Sequence, residues 1–524
     1  MHRRSFLGAM SAISLAAGSR GEATPADCAE SSGRTPEFDP TEQPVDALQN
    51  AMACGALTAA SLVHAYLGRI QRLDQSGPAL HSVLAVNGRA LDDARSLDAE
   101  RTAGRLRGPL HGIPLLIKDN IETSDPMPTT AGSRALAASR ASADAPLVAK
   151  LRAAGCIVLG KSNLSEWANF RSSHSISGWS AVGGQTRNAY DQGRTPSGSS
   201  AGSAVATAAS LCAAAIGSET DGSILSPSSV NGLVGFKPTV GVVSGRGIVP
   251  LSPRQDTAGP MSRTVSEAAL LAGIIAERPL GFGPQGSDME SFRLRGVRIG
   301  ALPISPAAHP DTAALYAASR AALQSEGAIV IDLKPPASFA ALGDLETEAL
   351  LHEFKAAINV YLSSLDPARS PCRSLADLIA FNRRDAVELT PFGQDTFEQA
   401  EARGPLTSAA YQKVLARLKR LSVTDGLGRL FGAPAVSALM APGGGPAALI
   451  DPVWGDHSDD GGPAIASTAA IAGYPSLTVP AGLAHGLPVG MVFVGAPFQD
   501  GLLLQIGRAY ERATRARVPP RFPS

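Results

Sequence analysis

The chain has 524 residues, enough for one large domain with a sizeable buried core. Its 46 lysines and arginines balance 46 aspartates and glutamates, and no basic run breaks that balance, so nucleic acid is not expected as a partner. The 54 glycines and 39 prolines, with aromatic residues at only 5%, indicate an α/β protein with many tight connections rather than a β-sandwich.

The N-terminus differs in character from the rest of the chain. Arg3 and Arg4 precede a weakly apolar run over residues 8–18, which is too short to cross a bilayer. This pattern resembles a twin-arginine signal, so we predict an export signal and linker over 1–30, a folded domain over 31–524 and a periplasmic location. The alternative is a cytoplasmic N-terminus that happens to carry two arginines. No membrane contact is expected once the signal is removed.

The elements that follow alternate between helices and strands. Apolar spacing predicts a helix over 58–74, and the apolar run 112–117 predicts a buried strand that ends at Lys118. A second helix, over 146–154, precedes a strand over 156–159. This alternation predicts a single large α/β domain, with a mixed, mostly parallel central sheet covered by helices on both faces.

The second half of the chain continues the pattern with two departures. The stretch 162–244 is rich in Ser and Gly, but its helix-like run of small residues at 201–211 predicts a folded segment rather than a linker. Helical, charge-bearing sequence over about 340–430 predicts an inserted or capping layer. Apolar strands then lead to a closing helix over 501–512.

Metal chemistry has no support in the sequence. The five cysteines are scattered without C-x-x-C spacing, and the nine histidines include no H-E-x-x-H motif. We therefore predict no metal site and no cofactor.

Three short sequences carry the candidate chemistry. They cover residues 111–119, 198–203 and 217–224. A serine hydroxyl needs a base, and no histidine lies in either serine-rich segment, so a lysine must serve. Lys118 fits because burial at the end of an apolar strand disfavours its charged form, and a serine between base and nucleophile would carry the proton. The oxyanion of a tetrahedral intermediate would be stabilised by three backbone N–H groups, those of Thr220, Asp221 and Gly222.

These motifs resemble the amidase signature family. The likeness runs over 57–243 and resumes at 256–260, 472–480 and 486–490. The resemblance implies the amidase signature fold and an enzyme that hydrolyses amides. It also implies that Lys118 is the base, that Ser199 is a relay held by a cis peptide, and that Ser223 is the acyl-forming nucleophile. The spacing of the last two agrees with the family pattern and favours Ser223 over Ser200 or Ser218.

The nucleophile segment departs from the commoner family pattern at two positions. Asp221 stands in the run before the serine, and Leu225 replaces an arginine found in many members. Together with 165–171 and 178–180, this variant resembles the peptide amidases, which implies removal of the C-terminal carboxamide of peptides with release of ammonia. The expected partner is a small-molecule or peptide amide, and the expected state is a monomer or homodimer. Three residues are candidate substrate contacts: Ser200, Trp167 and Asn169.

Three alternatives stay open at this point. One is a general aliphatic or aryl amidase of the same family, and another is a non-catalytic binding subunit on the same scaffold. A third is an α/β-hydrolase, because 198–202 also matches the G-x-S-x-G elbow with Ser200 as nucleophile. A polar loop, rather than an apolar strand, precedes that serine, which argues against the elbow. Such an enzyme would depend on one of four histidines: His309, His352, His457 or His485.

Overall fold

The computed structural model describes residues 38–281, 289–432, 435–456 and 464–522. The predicted export signal at 1–30 lies outside these residues, and the prediction about it stays untested.

Strands occur from one end of the described chain to the other. They are β1 (Val83–Val86), β2 (Pro114–Lys118), β3 (Ile157–Ser162), β4 (Trp179–Ser180), β5 (Gly184–Gln185), β6 (Ala214–Glu219), β7 (Val234–Lys237), β8 (Thr257–Ser262), β9 (Arg298–Ala301), β10 (Ile329–Asp332), β11 (Ala438–Pro442), β12 (Ser476–Ala484) and β13 (Leu487–Gly495).

Helices lie between most of these strands. They are α1 (Val45–Ala53), α2 (Ala59–Arg69), α3 (Ala90–Thr102), α4 (Pro146–Ala153), α5 (Ala201–Ala208), α6 (Leu225–Val230), α7 (Val265–Ile275), α8 (Pro310–Ser325), α9 (Leu342–Ser364), α10 (Leu375–Asn382), α11 (Asp395–Glu401), α12 (Ala409–Lys419), α13 (Gly428–Gly432), α14 (Ala464–Ala472) and α15 (Asp500–Thr514).

One sheet of 11 strands organises the domain, in the order β1-β3-β2-β6-β8-β7-β12-β13-β11-β9-β10. Parallel pairs form two blocks, β3-β2-β6 and β11-β9-β10. The neighbours between these blocks are antiparallel, as is the edge pair of β1 and β3. The predicted mixed α/β sheet within a single large domain is confirmed.

Both faces of the sheet are covered, as the alternation along β13 shows. Met491 and Phe493 belong to one buried apolar cluster, whereas Val492 and Val494 belong to another. Successive side chains of a strand point to opposite faces, so the two clusters lie on opposite sides of the sheet at β13. Helices α7, α8 and α15 pack on one side, and α12 and α14 contribute to the other.

A third apolar cluster joins the helical segment α9 to α11 to loops above the sheet. Phe354, Leu375 and Phe397 of these helices pack with Leu136 and Trp167 of the loops. This is the helical layer that the sequence predicts over about 340–430. Among the described helices, none combines the length and the apolar character needed to cross a bilayer.

The parallel pair of β2 and β6 positions the candidate chemistry. Ile117 pairs with Ile216, so the two strands end side by side, β2 at Lys118 and β6 at Glu219. Side chains and loops at the carboxyl ends of adjacent parallel strands share one crevice. The lysine motif and the serine motif are therefore brought to the same edge of the sheet.

Candidate active site

The end of β2 delivers the Lys118 amine into a buried polar environment. Lys118 Nζ lies 3.0 Å from Ser218 Oγ and 3.1 Å from Ser218 O. Asn120 Nδ2 donates to the same hydroxyl at 2.9 Å. The lysine side chain is completely buried, so its amine has no access to bulk water.

Ser199 is held directly against this amine. Lys118 Nζ lies 2.7 Å from Ser199 Oγ, and the peptide bond between Gly198 and Ser199 is cis. Only glycine fits at position 198, because a Cβ there would lie 2.2 Å from Ser165 Oγ. Ser165 also donates its backbone N–H to Ser199 O at 3.0 Å. The close approach of these two segments fixes the Ser199 hydroxyl in front of the lysine.

Burial changes the protonation of Lys118. Loss of hydration lowers the pKa of Lys118 from 10.5 to about 7, and the carboxylates of Glu219 and Asp256 only partly oppose this shift. A neutral amine has two N–H donors and one lone pair. The two oxygens of Ser218 accept the donors, so the lone pair faces Ser199 Oγ. A base that is to take a proton from Ser199 needs this arrangement.

Ser223 lies beside the Ser199 segment and is almost fully buried. The backbone N–H of Ser200 donates to Ser223 O at 3.1 Å, which joins the two serine segments. Gly222 adopts a φ of +75°, a conformation that glycine reaches without a steric penalty. The chain therefore turns sharply just before the serine.

The amides that follow Ser223 are already engaged. Ile224 N and Leu225 N both donate to Glu219 Oε2, at 2.7 and 3.0 Å. They are not available to an oxyanion. If this loop stabilises an oxyanion, the donors must come from the amides at or before Ser223, as the sequence predicts for 220–222.

Asp221 is paired rather than facing a developing oxyanion alone. Its side chain hydrogen-bonds to Glu346 of α9 and to Ser467 of α14. Gln255 Nε2 donates to Glu346 Oε1 at 2.6 Å and also contacts Thr220 O at 3.3 Å. Burial raises the pKa of both carboxyl groups, and the negative charge of Asp221 raises that of Glu346 further. A hydrogen bond between two carboxyl groups requires a proton on one of them, so the pair carries at most one negative charge.

Asp256 ties the nucleophile loop to the preceding loop. It accepts hydrogen bonds from Thr220 Oγ1 at 2.6 Å, from Leu251 N at 2.8 Å and from Ser252 N at 2.9 Å. Burial raises the pKa of Asp256 to about 6. Asp256 thus links the nucleophile loop, at Thr220, to the loop that contains Leu251 and Ser252.

The candidate substrate contacts fall into different environments. Ser200 is fully buried, and its hydroxyl bonds to the backbone of Ser218, so it joins two segments. Trp167 is buried against Phe397, with ring centroids 5.9 Å apart. Asn169 is only half-buried, and its Oδ1 lies 2.9 Å from where a Cβ at Gly198 would stand. Of the three, Asn169 is best placed to meet a substrate.

Sequence reasoning missed several residues of this site. Asn120 comes directly after the lysine motif 111–119, and Glu219 lies within the serine motif 217–224, so both stand beside or within the segments that carry the candidate chemistry. Glu346 lies in a helix far along the chain, and no local pattern distinguishes it from other exposed-looking glutamates. Only the packing of α9 over the nucleophile loop identifies it.

Of the four histidines that an α/β-hydrolase could use, the three that the structure describes have their contacts away from Ser200. His309 and His485 lie together with Asp311, and one ligand atom of each falls within 4.8 Å of the others. His352 contacts Gly404 O at 2.9 Å. The Ser200 hydroxyl is instead engaged by Ser218, and His457 lies outside the described residues. The arrangement around Ser200 does not support the elbow mechanism.

Comparison with known proteins agrees with this geometry. Residues 61–504 match the Amidase family model, and the chain belongs to that family. It is an enzyme that hydrolyses the C–N bond of amides.

Among solved structures, the native peptide amidase of Stenotrophomonas maltophilia is 45% identical with a TM-score of 0.85, over 92% of this chain and 99% of that chain. A peptide amidase in complex with the competitive inhibitor chymostatin is 46% identical with a TM-score of 0.85, over the same shares of the two chains. An Arabidopsis thaliana relative named "Probable amidase" is 39% identical over 93% of this chain and 92% of its own length.

Proposed function

We propose that this amidase is a serine hydrolase that removes the C-terminal carboxamide of peptides and releases ammonia. The observation that carries the proposal is the 2.7 Å contact between the buried Lys118 amine and Ser199 Oγ. The segment that carries Ser199 is joined to Ser223 through the hydrogen bond from Ser200 N to Ser223 O, and burial lowers the pKa of the lysine to about 7. The similarity to peptide amidase structures supports the choice of substrate.

The first half of the reaction uses the three residues in series. Neutral Lys118 takes a proton from Ser199, and Ser199 takes the proton of Ser223 as the Ser223 oxygen attacks the amide carbonyl. The carbonyl becomes a tetrahedral oxyanion, which the N–H groups near 220–222 stabilise. The proton then returns from Lys118 through Ser199 to the amide nitrogen, the C–N bond breaks, and ammonia leaves.

The second half releases the product acid. Water attacks the ester between the substrate acyl group and Ser223, and it gives up its proton along the same route to Lys118. The ester bond breaks, and the proton returns to the Ser223 oxygen. No cofactor is needed, because every proton and electron pair is supplied by the substrate, water and these side chains.

Ammonia release from a panel of amides tests this function. The panel contains peptide amides, free amino-acid amides, aryl amides and the corresponding esters. We expect the highest kcat/KM with peptide amides, no cleavage of internal peptide bonds, and loss of turnover in Ser223→Ala. A clear preference for small aryl or aliphatic amides would contradict the proposal and indicate a general amidase. No ammonia from any amide would instead favour a binding protein on this scaffold.

A further inference from the structure

Apolar side chains are concentrated on one loop near the candidate active site. The rim loop, residues 443–456, follows β11 and carries Leu449, Val453 and Trp454, which are 63%, 72% and 71% exposed. Large apolar side chains, and tryptophan above all, are seldom so exposed, and their concentration in one segment marks an interaction surface.

The rim loop is anchored along its length. On one side it runs along residues 193–195, where Thr195 N donates to Ala448 O at 2.8 Å and Ile450 N donates to Gly193 O at 3.1 Å. At its tip, Asp451 Oδ1 accepts the backbone N–H groups of Val453 and Trp454 at 2.8 and 2.9 Å. Because the backbone is held, the exposed side chains are presented from fixed positions.

Both segments that anchor the rim loop are connected to Ser199, the candidate relay serine. Asp456 accepts the backbone N–H of Ser177 at 3.0 Å, and Ser177 Oγ accepts from Asn169 at 3.2 Å. Ser177 Oγ and Asn169 Oδ1 would each lie 2.9 Å from a Cβ at Gly198, which precedes Ser199. Residues 193–195, which form the other anchor, come shortly before Ser199 in the sequence. The loop therefore borders the approach to Ser199.

The position of the rim loop bears on which peptide amides are preferred, provided that the enzyme acts on peptide amides as proposed above. The reacting carboxamide of a peptide must reach Ser223, which is almost fully buried, so the residues upstream of that carboxamide must extend outward toward the protein surface. We propose that Leu449, Val453 and Trp454 bind apolar or aromatic side chains of the peptide upstream of its C-terminal amide. The preferred substrates are thus apolar peptide amides rather than polar peptide amides or free amino-acid amides.

Substrate series on matched variants test this assignment. The substrates are tetrapeptide amides that all have the same C-terminal residue. One series carries Leu or Phe at the upstream positions, and the other carries Gly or Ser there. An amino-acid amide serves as the reference. Covering one apolar side chain changes kcat/KM by roughly tenfold. In the wild type, we expect the Leu and Phe peptides to be preferred by about that factor. In Trp454→Ser and in Val453→Ser/Trp454→Ser, we expect the ratio of kcat/KM for apolar peptides to that for the reference to fall by about tenfold, mainly through KM.

Val360→Ser is the control, because Val360 is 71% exposed on α9 and has no part in the rim loop. This substitution is expected to leave the ratio unchanged. An unchanged ratio in Trp454→Ser, or an equal loss on every substrate, would overturn the assignment while leaving peptide deamidation intact. Failure of the wild type to release ammonia from any peptide amide would overturn the proposed function itself.

Discussion

At the scale of single residues, burial turns Lys118 from an ordinary cation into a candidate base. A lysine with the usual pKa of 10.5 is neutral in about one molecule in 3000 at pH 7. With a pKa of about 7, roughly half of the molecules carry the neutral amine at that pH. The apolar strand β2 and the loss of hydration at its end therefore supply the reactivity that the serines lack.

The pH dependence of turnover follows from this protonation. We expect kcat/KM for a peptide amide to rise as pH increases through about 7 and then to level off, because only the neutral form of Lys118 accepts a proton. Asp256→Asn is the comparison, because the Asp256 carboxylate raises the pKa of Lys118, so its loss should move the rise to lower pH without abolishing it. A rate that stays flat from pH 5.5 to 8.5 would contradict the role of Lys118.

The two serines that contact Lys118 should differ in importance. Ser199→Ala removes the proposed relay and should lower kcat by about 10³ or more, within the range of lost acid–base catalysis. Ser218→Ala removes a hydroxyl that only accepts hydrogen bonds from Lys118 and Asn120, so a loss of about tenfold or less is expected. Steady-state ammonia release compares the two variants. A larger loss in Ser218→Ala would reverse the assignment.

At the scale of elements, α9 supports the nucleophile loop from above. Glu346 on this helix hydrogen-bonds to Asp221, two residues before Ser223, and Gln255 braces the same carboxyl group. The pair shares a proton, so a glutamine in place of Glu346 can supply the missing donor, whereas a leucine cannot. This contact links the helical layer to the chemistry.

Substitutions at Glu346 test that link. We expect Glu346→Gln to keep kcat/KM within about threefold, and Glu346→Leu to lose about tenfold or more because buried polar partners are left unsatisfied. Both carboxyl groups have a raised pKa in the folded protein, so they stabilise it fully below their unfolded pKa values and less as pH rises through the folded ones. The free energy of unfolding should therefore fall from pH 5 to pH 8 less in Glu346→Gln than in the wild type. An equal fall, measured by urea denaturation, would show that the pair does not titrate.

At the scale of the whole molecule, much of the fold could be predicted from local pattern. The apolar run 112–117 predicts the buried strand that ends at Lys118, because a buried parallel strand is a continuous apolar run. The run of small residues at 201–211 predicts the helix after Ser200 by its periodicity. The shared edge of the lysine and serine motifs comes from the parallel pairing of β2 with β6.

The remaining features depend on contacts between distant segments. The antiparallel pairings in the middle of the sheet, such as β7 with β12, join residues far apart in the sequence, and strand pattern does not specify the partner. The pairing of Asp221 with Glu346 and the anchoring of the rim loop likewise join segments that are far apart in the sequence. Trp167 shows the limit at a single residue, because its packing against α11 could not be read from its own segment.

Export is the prediction that concerns the whole chain. We expect the full-length protein to leave the cytoplasm, and a chain lacking residues 1–30 or carrying Arg3→Lys and Arg4→Lys to stay there, as measured by cell fractionation. Cys54 forms a disulfide bond, which an oxidising compartment would favour. Full-length protein in the cytoplasmic fraction would contradict this prediction.

The residue that becomes acylated is the most direct test of the proposed mechanism. A fluorophosphonate reacts with an activated serine nucleophile, and tandem mass spectrometry of the digested protein locates the adduct. The proposed chemistry predicts a single adduct on Ser223, formed much more slowly in Lys118→Met and in Ser199→Ala. An adduct on Ser200 or Ser218, or labelling of Ser223 that is unaffected by loss of Lys118, would contradict it.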